Sequence, residues 1–134
     1  MKTVVAAVLG MLALAAPAFA QSGDPSGTWL SQSGETRVKI ARCGAVYCGT
    51  IVASKQAKDV NNPDPAKRDR SLVGGQMISA IEPSGSGFSG QLYNFQNGKT
   101  YTGKLRLVGP KSLELSGCVL GGLFCKSQTW TRVN

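Results

Sequence analysis

Eight short runs in which apolar and polar residues alternate fill the chain between residues 27 and 133, and a turn signal bounds each of them. They cover 27–31, 36–41, 46–53, 75–81, 88–95, 99–108, 113–119 and 124–133. A period of two is that of a strand with one buried face, and none of these runs carries the 3.6-residue period of a helix. The connectors Ser33-Gly34, Gly44-Ala45, 83–87, Asn97-Gly98, Gly109-Pro110 and Gly121-Gly122 are short enough to join antiparallel neighbours. An open meander of that kind leaves two unpaired edges, which closure removes. The chain is therefore predicted to be all-β, an eight-stranded antiparallel up-and-down barrel.

Register follows from the same alternation. A two-residue turn at Asn97-Gly98 places Phe95 opposite Thr100, Leu92 opposite Gly103, Gly90 opposite Leu105 and Phe88 opposite Leu107. Phe88, Leu92, Leu105 and Leu107 then share the inner face, and Gln91 and Lys104 the outer one. The four cysteines form two local pairs. Cys43 and Cys48 flank a tight turn, and Cys118 and Cys125 lie symmetrically about Gly121-Gly122, whose loop is two or four residues long. Both read as hairpin disulfides. A thiolate metal cage is the competing reading, but the chain has no His, and two local pairs fit staples better.

Residues 1–20 read as a cleaved export signal: Lys2, an apolar segment from Val4 to Ala16, and the small-x-small site Ala18-Phe19-Ala20. The expected mature chain, 21–134, suits one domain with a single core. With Lys2 removed, the 15 basic residues become 14 against 7 acidic ones, a net charge of +7. Arg37, Lys39, Lys104 and Arg106 alternate with apolar residues and mark solvated strand faces. Export to the periplasm, or beyond the cell, turns the remaining basic surplus toward anionic envelope material rather than nucleic acid.

Gly27-Thr28-Trp29 and Trp130-Thr131-Arg132 resemble segments of the lipocalin and fatty-acid-binding superfamily. There, a Gly-x-Trp opens the first strand and a basic residue of the last strand packs over the indole, away from the ligand entrance. The resemblance implies a structural pair here, with Arg132 stacked on Trp29. More of the chain, "CGAVYCG", "DVNNPDPAKRDRSLVGG", "GQLYNFQNGKTY" and "LFCKSQTWTR", resembles the bacterial domain-of-unknown-function family 2147. That family implies a small exported barrel and carries no assigned chemistry.

One connector breaks the pattern of short turns. Residues 54–71 contain the most polar run in the chain, "DVNNPDPAKRDR". Asp59, Asn61, Asn62, Asp64 and Asp69 offer oxygen ligands, but the order fails the EF-hand: Pro63 sits at the fifth position, no Gly at the sixth, and Arg70 at the twelfth. Asn62-Pro63-Asp64-Pro65 instead reads as turn chemistry that stiffens the loop. Arg68 and Arg70 are then available either to Asp59, Asp64 or Asp69 as internal bridges or to an anionic ligand. Alternation of connectors around a barrel places this loop at the same end as Asn97-Gly98, so it is expected to cover a mouth, with Asn94 and Tyr101 paired beneath it. The expected function is an exported, non-catalytic barrel that binds a small amphipathic or anionic ligand there, through Asn62, Asp64, Arg68, Arg70, Asn94 and Tyr101, with no cofactor or metal. Two other functions fit the sequence. One is an envelope interaction module with a solid core, binding a protein or the cell wall. The other is a hydrolase or transferase acting on envelope polymers, for which a carboxylate pair such as Asp59 and Asp64 would have to serve.

Overall fold

The computed structural model describes residues 23–119 and 124–134. The expected export signal and the Gly121-Gly122 turn lie outside the described residues. Eight strands follow in order: β1 Gly27–Leu30, β2 Thr36–Arg42, β3 Tyr47–Ser54, β4 Gln76–Ser84, β5 Gly87–Asn94, β6 Lys99–Gly109, β7 Ser112–Val119 and β8 Phe124–Arg132. Each pairs antiparallel with the next, and β8 closes on β1 through Trp29↔Arg132 and Leu30↔Thr131. This is the closed barrel that the turn spacing predicts. Among the described residues, no helix is long and apolar enough to cross a membrane.

Alternation decides what lies inside. Trp29, Val38, Ile40, Ile51, Ile78, Ile81, Phe88, Leu105, Leu113, Leu115 and Trp130 are all buried, and Leu92 and Leu107 pack against them half-buried. The inner wall is tightly filled where it lacks side chains. A Cβ on Gly49 would stand 3.0 Å from Val38 and 3.1 Å from Ile78, and one on Gly103 would run into Leu92. Ile78 and Ile81 both point inward although they stand three positions apart, an odd step on a strand. A β-bulge resolves the conflict: Ala80 adopts a positive φ of 51°, and the ladder slips between Ser79↔Gln91 and Glu82↔Ser89.

Both disulfides form as the spacing implies, Cys43–Cys48 and Cys118–Cys125. They suit an oxidising, extracytoplasmic setting. At the second hairpin, pairing runs from Ser112↔Thr131 through Cys118↔Cys125 to Val119↔Phe124.

The β5–β6 hairpin corrects the expected register by two residues. Asn94 faces Lys99, Leu92 faces Tyr101, Gly90 faces Gly103 and Phe88 faces Leu105. The turn is a four-residue loop, closed by the Gly98 amide donating to the Asn94 carbonyl at 2.7 Å, with Gly98 at φ 74°. The Asn94 Oδ1 accepts from the Gln96 amide at 2.9 Å, which stabilises the wider loop locally. A shift of two preserves every face, because the side-chain period is also two. Asn94 and Tyr101 are consequently not opposite each other.

The far end of the barrel is sealed as the Gly-x-Trp resemblance implies. The Arg132 guanidinium carbon lies 4.4 Å from the Trp29 ring centroid. Its nitrogens donate to the carbonyls of Ser26, Asp24 and Pro110, while the Trp29 indole N–H donates to the Pro25 carbonyl at 2.9 Å.

Candidate functional site

The long connector between β3 and β4 is an ordered excursion of the chain. Its two legs pair: the Leu72 amide donates to the Ala57 carbonyl at 2.9 Å, and the Asp59 amide to the Arg70 carbonyl at 3.1 Å. Lys58 and Asp69 bridge the legs at 2.6 Å, which holds the Asp69 carboxyl below its ordinary pKa. At the tip, turn chemistry takes the form that the Asn-Pro-Asp-Pro run implies. The Asn62 Oδ1 accepts from the Asp64 amide at 2.9 Å, and the Asp64 Oδ1 caps the short 3₁₀ turn Pro65–Lys67 by accepting from the Ala66 amide at 3.0 Å. The Arg68 Nε donates to the Asn62 carbonyl at 2.8 Å.

Leu72 is buried with the core cluster, and the tip is held by the β5–β6 turn and by Tyr93. Asn61 docks it on the β5–β6 turn, donating through Nδ2 to the carbonyls of Phe95 at 3.1 Å and Gln96 at 3.0 Å. Close approach is possible because residue 98 is a glycine, where a Cβ would collide with the Asn61 carbonyl. Charge burial explains the choice of surface. Asp59 is 0% exposed and needs donors, and Tyr93, on the outward parity of β5, supplies one.

Four contacts satisfy Asp59. Its Oδ1 accepts from the Tyr93 hydroxyl at 2.6 Å, its Oδ2 accepts from the Asn62 Nδ2 at 2.8 Å and from the Arg70 Nε at 3.0 Å, and the Arg70 Nη2 forms an ion pair with Oδ2 at 3.0 Å. Burial by itself pushes this carboxyl up. The bonds from Tyr93, Asn62 and Arg70, with the arginine's charge, outweigh burial and hold it below the ordinary carboxylate range. Burial, then the bond and charge of Asp59, push the Tyr93 hydroxyl up to about 12. The cluster is thus a locked anion with its proton donors in place.

Between this clamped loop and the outer wall of β4–β6 lies a cleft of about 250 Å³, lined by Asn62, Pro63 and Arg70 from the loop and by Gly98 from the turn. The wall contributes Gln76, Met77, Ser79, Gln91, Tyr93 and Thr100. Of the residues that sequence reasoning nominated, Asn62 and Arg70 reach this cleft. Asp64 and Arg68 are spent on the loop's own turns. Asn94 caps its turn, and the Tyr101 hydroxyl accepts from the Asn97 Nδ2 at 2.8 Å. Asn62 and Arg70 share the cleft, and Asp64, Arg68, Asn94 and Tyr101 do not line it.

Sequence reasoning missed Tyr93 and the wall. A signal was present: the outward positions Met77, Ser79, Gln91, Tyr93 and Thr100 carry no charge, whereas the outward positions of β2 carry Arg37 and Lys39.

Residues 27–132 match the model of a family described as "Uncharacterized protein conserved in bacteria (DUF2147)". No curated protein matches the chain. A solved structure titled "Protein HP1028 from the human pathogen Helicobacter pylori belongs to the lipocalin family" is similar at a TM-score of 0.73 and 25% identity. The likeness covers 83% of this chain and 84% of that one.

Proposed function

The chain belongs to the DUF2147 family, and from that premise we propose that it is an exported, non-catalytic binding domain. The small amphipathic molecule it holds lies in the cleft between the 54–71 loop and the outer wall of β4–β6. The observation that carries this reading is the fully buried Asp59, whose contacts with Asn62 and Arg70 tie the loop to itself and whose bond from Tyr93 ties it to the wall. A loop immobilised in this way costs conformational entropy in the free protein, and the cost is recovered when a preformed site binds. The expected anion clamp of two arginines finds less support, since Arg68 holds the Asn62 carbonyl and Arg70 holds Asp59.

Binding is favoured over catalysis by the protonation states in the site. Asp59 is depressed and Tyr93 is raised to about 12, so neither group exchanges a proton near neutral pH. All four cysteines are in disulfides and the chain has no His. Both disulfides, together with the signal-like residues 1–20, support a periplasmic location.

Native mass spectrometry of protein extracted from the periplasm tests the reading. The parent is expected to carry a bound small molecule that Ser79→Trp, which fills the cleft from an outward position, loses without loss of fold. Retention by Ser79→Trp would remove the cleft from consideration.

The closely packed buried residues of the inner face favour a second reading, an envelope interaction module that uses the barrel's outer surface. That reading expects protein or cell-wall cross-links from whole cells, unaffected by Ser79→Trp.

A further inference from the structure

The cleft's own chemistry narrows the ligand class, on the premise that the cleft is the binding site. Four of its wall residues, Gln76, Ser79, Gln91 and Thr100, make no side-chain hydrogen bond among the described residues, whereas Asn62, Arg70 and Tyr93 are engaged with Asp59. The free groups are two amides and two hydroxyls, each able to donate and to accept. They lie in a grid set by the ladder: Ser79 is opposite Gln91, and Thr100 is opposite Tyr93. Directly opposed side chains on one face stand roughly 5 Å apart at Cβ, a spacing that several hydroxyls of one ring can meet together.

Charge argues in the same direction. Among the described residues, Arg70 is the only cation lining the cleft and no acidic residue lines it, and Asp59 neutralises the guanidinium from behind at 3.0 Å. An anion entering would meet a wall of no net charge and a buried carboxylate beyond it. It would have to compete with Asp59 for the arginine. A neutral ligand escapes that penalty.

The remaining lining supplies an apolar complement. Tyr93, Met77 and Pro63 offer a ring face, a thioether and a pyrrolidine beside the polar grid. Saccharides pair an apolar C–H face with a hydroxylated edge, which matches this lining. The volume of about 250 Å³ falls below the roughly 300–1,000 Å³ of pockets for drug-sized ligands, which limits the occupant to about one or two sugar rings.

We infer that the cleft of this exported barrel recognises an uncharged saccharide unit, gripped at its hydroxyls by Ser79, Gln91, Gln76 and Thr100 and covered on its C–H face by Tyr93. The test is amide NMR titration of the intact, disulfide-bonded protein with two neutral disaccharides, maltose and the disaccharide of N-acetylglucosamine, and with two anions, glucuronate and inorganic phosphate. A neutral sugar is expected to shift the resonances of residues 76–79, 91–93 and 98–100. Its affinity should be unchanged between about 0.05 M and about 0.5 M salt and weakened roughly tenfold by Gln91→Ala. Gln91 is exposed, so that variant is expected to keep its fold. If the anions shift those residues and the sugars do not, with affinity falling as salt rises, the saccharide class is wrong and the cleft stands. If neither sugars nor anions shift those residues, the saccharide class falls. If a co-purified molecule then shifts a different face, the cleft falls with it.

Discussion

Two arginines hold two regions of this barrel, and they do so by different physics. At the sealed end, Arg132 lies on the Trp29 indole and donates to three backbone carbonyls. At the side, Arg70 grips a fully buried carboxylate that also takes a tyrosine hydroxyl and an asparagine amide. Quadrupoles and carbonyl dipoles do not titrate, so these contacts of Arg132 do not depend on pH. The clamp is sensitive to acid, because its centre is an ionised carboxylate. The seal closes the fold, and the clamp shapes a surface.

Removing the clamp's anion should have the largest effect. Asp59→Ala strands the Arg70 charge and the Asn62 and Tyr93 donors; Arg70 is half-exposed and is partly rescued by water, so the expected loss is about 2–3 kcal/mol, below the full buried-pair value. Urea unfolding measures it, and hydrogen exchange should show residues 57–72 released first. A loss equal to that of an ordinary surface substitution would mean that the loop is not clamped.

Arg132→Ala should cost less, about 1–2 kcal/mol, through lost stacking and stem packing. It should leave the exchange protection of residues 57–72 and the binding of the co-purified molecule intact. Equal stability of variant and parent would show that the seal contributes nothing.

The pH profile separates the regions further. The Asp59 pKa is depressed by folding, so its contribution is complete above the unfolded value of about 3.9 and is lost as pH falls through the folded one. Tyr93 is raised, so its contribution is complete below about 10 and is lost as pH rises through about 12. Arg132→Ala should keep both losses. Asp59→Asn should lose much of the acid one, the exposed Asp24 and Asp69 accounting for what remains, since each is also depressed, by bonds from Ser26 and from Lys58 respectively. Stability followed by circular dichroism across that range decides it.

Arg68→Ala is expected to have the smallest effect, about 1 kcal/mol or less, because it removes a single bond to the Asn62 carbonyl. A loss as large as that of Asp59→Ala would shift the loop's anchor to the tip.

The chain order of local signals determined the architecture. Alternation has a period of two wherever a strand has one buried face, and short turns permit only antiparallel neighbours, so strand number, order and closure were legible in advance. Cysteine spacing and the Gly-x-Trp and Trp-Thr-Arg ends were legible for the same reason, since hairpin symmetry and closure bring those residues together. The β5–β6 register was legible only modulo two, because a two-residue and a four-residue loop bury the same faces and the choice rests on hydrogen bonds at Asn94 and Gly98. Where the long loop lies was not legible at all. Its internal turns follow from Asn-Pro-Asp-Pro, but its docking depends on Tyr93 reaching Asp59 across 34 residues of sequence. A buried carboxylate adopts whichever place in the folded structure offers it enough donors, and only the closed barrel creates that place.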